Sequence, residues 1–126
     1  MQSIPIRSSD LFQLAHEVLA RGQSLRFTAR GGSMRPAIRH GDEITVAAVA
    51  PEAIVAGDIL MVDGAPPKIH RAQGINKTRG EVITQGDGCA SADQPNPLSS
   101  VIGKVVQVDR RKWWQRLQAR LRTLQT

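Results

Sequence analysis

At 126 residues the chain is long enough for one domain with a single core. Hydrophobic residues make up 40% and aromatics 3%, with no tyrosine, so the core has to come from Val, Ile, Leu and Ala. Net charge is +6, but six of the 17 basic residues (Arg110, Arg111, Lys112, Arg116, Arg120, Arg122) fall in 110–126, which holds no acid, and the other basic residues balance the 11 acidic ones, so charge gives no support for nucleic acid as a partner of the body.

The single cysteine, Cys89, excludes an internal disulfide. Residues 1–13 lack the apolar run of a secretory signal. The longest apolar region, 44–62, is interrupted by Pro51, Glu52, Gly57 and Asp58 and is too broken to span a bilayer as a helix. These features lead to the expectation of a cytoplasmic protein, soluble or peripheral at a membrane.

In chain order, Leu11, Leu14, Ala15 and Val18 recur at helical spacing, with Ser9 as N-cap and Gly22 as stop, which predicts a helix over about 9–21. Leu25, Phe27 and Ala29 alternate with polar residues as in a strand. Residues 43–48, 58–62, 68–73, 81–85 and 101–108 read as further strands, with a hairpin turn over 75–80. Trp113, Leu117, Leu121 and Leu124 fall on one side of a helix over 110–126, and Arg116, Arg120 and Arg122 occupy much of the rest. Such a helix packs on the body or on another subunit, or lies in a membrane interface with its arginines on anionic lipid. The expected architecture is a single, mostly β domain over 1–109 with a helix at each end.

Chemistry concentrates in three places. Gly31-Gly32-Ser33-Met34-Arg35-Pro36 puts a serine on a tight turn that Pro36 stiffens. His70 follows 37 residues later, between Ile69 and Arg71, and a histidine titrates where a base for serine is needed. Asp87 and Asp93 lie in the polar loop that begins at Gly86. Each has a plain alternative: a turn serine, a half-buried strand histidine, a solvated loop. Lys68 shares a strand face with His70 and is the competing base. Cys89 has no second base of its own and reads as a loop residue.

The ordered set resembles the type I signal peptidases and LexA-like serine peptidases. It comprises the Gly-x-Ser-Met-x-Pro turn at 31–36, Gly41-Asp42 and Gly57-Asp58 each entering a strand, His70-Arg71, Gly86-Asp87 with Asp93 six residues on, and Ile102-Gly103-Lys104-Val105. The likeness spans about 27–106. Bacterial signal peptidases and LexA-like autoproteases use lysine as base; the endoplasmic-reticulum type has histidine, and His70-Arg71 is similar to that version. The resemblance implies a LexA/signal-peptidase-like β-fold and a serine endopeptidase in which Ser33 is the nucleophile, His70 the base, Asp93 its orienting carboxylate and Asp87 a supporting group. It implies an acyl-enzyme and no metal or other cofactor. Met34 and Ile38 match positions that line the pocket for a small substrate residue; the plain alternative is that both are core, and for Ile38 the two readings stand nearly level. Two departures stand out. Gly31 replaces a second hydroxyl donor found two residues before the nucleophile in bacterial signal peptidases, and no membrane anchor is evident. The expected partner is therefore a peptide or protein substrate supplied in trans. The alternatives are a weak or inactive peptide-binding relative and a self-cleaving regulator.

Overall fold

The computed structural model describes residues 8–64 and 67–110. One helix, α1 (Ser8–Ala20), precedes seven strands: β1 (Leu25–Thr28), β2 (Glu43–Ala47), β3 (Ile59–Val62), β4 (Lys68–Asn76), β5 (Glu81–Gln85), β6 (Asn96–Pro97) and β7 (Val101–Asp109). The chain is mostly β, as expected. The helix expected over 110–126 and its membrane contact lie outside the described residues, save Arg110.

Helix α1 starts one residue earlier than the expected span, which places Ser9 inside it rather than at its cap. Its end follows the expectation. Gly22 has φ +76, its N–H bonds to the Leu19 carbonyl, and the Gln23 N–H bonds to the Val18 carbonyl, the paired bonds of a left-handed helix stop. The hairpin turn is shorter than 75–80, because β4 keeps pairing with β5 through Asn76, opposite Glu81.

The strands form one antiparallel sheet in the order β1-β2-β7-β3-β4-β5-β6. Register shifts at Thr45/Val46 and Met61/Val62 bend the sheet on both sides of β7, and it curls into a half-barrel. Each face buries its own apolar cluster. Ala15 and Leu19 of α1 cover Leu25, Phe27, Ile44, Val46 and Met61 on one face. Leu60, Val62, Ala72 and Val82 pack with Ile54 on the other.

Directly opposed residues of an antiparallel pair share a face. Met61 faces Ile69 and belongs to the first cluster, whereas Leu60 is opposite His70. His70 therefore points to the second face, with Lys68 and Ala72. This explains why a histidine between an isoleucine and an arginine is only 7% exposed. Among the described residues, no helix is long and apolar enough to cross a membrane.

Candidate active site

Two turns meet at one end of the sheet. The first follows β1 and carries Ser33; the second follows β5 and runs through Gly86, Asp87, Gly88 and Cys89. The Gly88 N–H donates to the Ser33 carbonyl at 2.8 Å, joining segments 55 residues apart. A Cβ on Gly86 would press into the Ser33 carbonyl oxygen and stand 2.8 Å from Cys89 Sγ and 3.0 Å from His70 Nε2. A Cβ on Gly88 would stand 3.0 Å from the Gly32 carbonyl oxygen. Glycine at both positions is what lets the second turn reach the first. The junction brings the Ser33 main chain, His70 Nε2 and the Cys89 thiol around a single point.

The far side of the His70 ring is fixed by Asp93. Its Oδ2 lies 2.6 Å from His70 Nδ1, accepts the Thr84 hydroxyl at 2.7 Å and lies 3.3 Å from Lys68 Nζ. The Asp93 N–H also bonds to the Thr84 carbonyl at 2.8 Å, so one fully buried residue of β5 holds both the main chain and the side chain of Asp93. Burial would push this carboxyl up. Hydrogen bonds from His70 and Thr84, with the charge of His70 and a bond from Lys68, outweigh burial and hold it below the usual carboxylate range. An ionised carboxylate only accepts, so His70 Nδ1 carries the proton. In a neutral ring that leaves Nε2 as the bare, basic nitrogen, and Nε2 is the atom at the Ser33 turn.

Asp87 does not touch His70. It forms a two-pronged pair with Arg71, at 2.9 Å to Nε and 2.8 Å to Nη2, while Arg71 Nη1 donates to the Gly57 carbonyl at 2.9 Å. The hydrogen bond from Arg71 is the main reason its carboxyl lies low; burial opposes it, and the charges of Arg71 and His70 assist. Asp87 thus supports the site by pinning the second turn to β4. Its N–H also meets Met34 Sδ at 3.4 Å.

Ser33 is exposed. Among the described residues its hydroxyl makes no hydrogen bond, to His70 or to any other group, and its N–H has no main-chain acceptor. Met34 and Ile38, each 4% exposed, lie in the first apolar cluster and form the floor under the turn. Lys68 shares the His70 face, as the two-residue period of a strand requires, but it is directed at Asp93.

Three contributors escape a reading of the sequence. Thr84 reads as an ordinary inward strand residue. His40 Nδ1 accepts the Gly31 N–H at 3.1 Å, and Arg110 Nη2 donates to the Pro36 and Ala37 carbonyls at 2.7 and 3.2 Å. Both brace the Ser33 turn from positions that carry no motif. Among the described residues, no group of three or more His, Cys, Asp or Glu is arranged to hold a metal ion. The chain matches no family model and no curated protein.

Proposed function

We propose that this chain is a serine endopeptidase of the signal-peptidase and LexA-like kind, with Ser33 as nucleophile and His70 as general base. The observation that supports it most is the His70–Asp93 pair: it fixes the proton on Nδ1 and leaves Nε2 free beside the Ser33 turn. In the reaction Nε2 takes the Ser33 proton as Oγ attacks a peptide carbonyl, and Asp93 stabilises the imidazolium that forms. The Ser33 N–H, which has no main-chain acceptor among the described residues, is the donor available to the oxyanion. The leaving amine takes the proton from Nε2, and water, activated by the same nitrogen, releases the acyl group. Met34 and Ile38, from beneath the turn, shape the seat for a small residue before the cleaved bond.

One observation favours a second reading. The Ser33 hydroxyl makes no hydrogen bond to His70, as in a relative that holds peptides without cutting them. Digestion of an unbiased peptide library separates the two. Serine peptidase activity gives sequence-selective products with the wild-type chain and none with Ser33→Ala or His70→Ala. Identical products from Ser33→Ala would overturn the proposal, and peptide retention by all three without products would establish the binding protein.

A further inference from the structure

The turn that carries Ser33 concentrates positive charge that nothing nearby neutralises. Between Thr28 and Gly41 the sequence has Arg30, Arg35 and Arg39 and no acid. All three are exposed, and none forms an ion pair among the described residues. Four cations on the strands are answered: Arg26 by Glu43 and Asp109, Arg71 by Asp87, Lys68 by Asp93, Lys104 by Asp58. Among the described residues Arg21, Lys77 and Arg79 also lack an ion pair, but Arg21 follows α1 and the other two lie in the β4–β5 hairpin, at the opposite end of β5 from Gly86. The acids of the site are thereby already engaged. Asp42, the nearest acid along the chain, is fully buried, and its Oδ2 accepts the Arg39 N–H rather than a guanidinium. Arg35 folds back over the turn, since a Cβ on Gly32 would stand 3.3 Å from its Cδ. Its side chain therefore passes over the residue next to Ser33. Arg110 adds a fourth cation on the Pro36 and Ala37 carbonyls.

Exposed charges act over about 8 Å at physiological salt, the span of two or three peptide residues on either side of an attacked bond. Apart from these three arginines, residues 1–109 hold eight basic and 11 acidic residues, so the cationic rim stands out from a net acidic body and selects its ligand. We propose that the peptide taken at this site is acidic, with Asp or Glu close to the bond that Ser33 attacks, held by a rim of Arg30, Arg35 and Arg39. This names the substrate class of the serine peptidase reading and rests on it.

The test uses short random peptides with Glu, Gln or Lys fixed at alternate positions. Binding is measured by fluorescence anisotropy to the full Ser33→Ala chain, and cleavage with the wild-type chain. Exposed pairs at about 0.2–1 kcal/mol correspond to roughly a twofold effect per arginine, so Glu peptides bind about tenfold tighter than Gln peptides at low salt. The advantage fades toward about 1 M salt, where screening is nearly complete. Arg30→Gln, Arg35→Gln and Arg39→Gln together reduce it to about twofold without lowering the melting temperature. Full preference in that triple variant would place the binding charge in 110–126 and overturn the proposal. Equal displacement by a DNA duplex of matched charge would do the same, by showing a general polyanion site. Cleavage indifferent to Glu would refute the acidic class and leave the peptidase reading intact. Rim-dependent binding of Glu peptides with no cleavage would refute the peptidase reading instead.

Discussion

Replacing Gly86 with alanine tests the junction on which the whole site depends. The added Cβ would collide with the Ser33 carbonyl oxygen and stand 2.8 Å from Cys89 Sγ and 3.0 Å from His70 Nε2. The first obstacle is main chain and cannot swing aside. Gly86 does not have a positive φ, so the cost is contact rather than backbone conformation. Overfilling a packed site costs about 1–3 kcal/mol. Alanine at a tolerant glycine returns about 0.4–1 kcal/mol through the unfolded chain. The balance is a loss of roughly 1–2 kcal/mol, or about 4–8 °C in melting temperature for a domain of this size. Gly74→Ala is the control: its Cβ would meet nothing within 4 Å and its φ is ordinary, so stability should hold or rise slightly. Thermal and urea unfolding of both variants read the difference. Peptide cleavage by Gly86→Ala, measured well below its melting temperature, should fall about a hundredfold, since a displacement near 1 Å separates nucleophile and base. If Gly86→Ala proves as stable as Gly74→Ala, the two turns do not meet as described, and the case for Ser33 and His70 acting together fails with them.

Lys68→Met tests the shared carboxylate. With the cation removed, the His70 ring and the Thr84 hydroxyl still hold Asp93, and an exposed pair contributes only about 0.2–1 kcal/mol, so cleavage should fall by no more than about fivefold; a loss as complete as in His70→Ala would make Lys68 the base instead. Acid stability tests the two aspartates. Both carboxyls lie below their ordinary value in the folded chain, so the stability they contribute is present above about pH 4 and is lost as pH falls through their folded values. Urea midpoints should drop below about pH 4, and Asp87→Asn should show a smaller drop; parallel curves for the two proteins would show that the Arg71–Asp87 pair adds no pH dependence.

Much of the sheet was legible because its physics is local. Residues 81–85 carry three β-branched residues, Val82, Ile83 and Thr84, between a turn and a glycine, and β5 occupies that same span. Lys68 and His70 are two apart on a strand, so their common face needs no tertiary information. The short β6, Asn96–Pro97, was not legible, because two residues including a proline carry no period and pair only where β5 offers an edge. The site divides along the same line. Ser33, His70 and Asp93 stand out by type and order. Thr84, His40 and Arg110 do not, because what they do depends on which carboxylate, N–H or carbonyl the folded chain brings to them. Met34 and Ile38 show the opposite problem: pocket wall and core residue have the same chemistry, and only their burial beneath the turn places them.

The Asp93 carboxylate shows why a motif alone could not have described this site. Three side chains converge on one oxygen, Oδ2: the His70 ring, the Thr84 hydroxyl and the Lys68 ammonium. A hydrogen bond to a charged acceptor contributes about 1.5–3 kcal/mol, and a buried one is stronger than a solvated one. Thr84, fully buried, also ties the Asp93 main chain, so the carboxylate cannot follow the ring if the ring moves. His70 is thereby held from behind by a group that is itself held. The Ser33 turn is anchored by hydrogen bonds from Gly88 and Arg110 to its carbonyls and from the Gly31 N–H to His40. Ser33 and His70 meet along the whole 86–89 turn: Gly86 packs on the Ser33 carbonyl, Gly88 bonds to it, the Asp87 N–H meets Met34 Sδ, and the Asp87 carboxylate ties the same turn to Arg71, next to His70. The separation of Ser33 and His70 is therefore set by the whole 86–89 turn, and any change in it has to move several residues of that turn together.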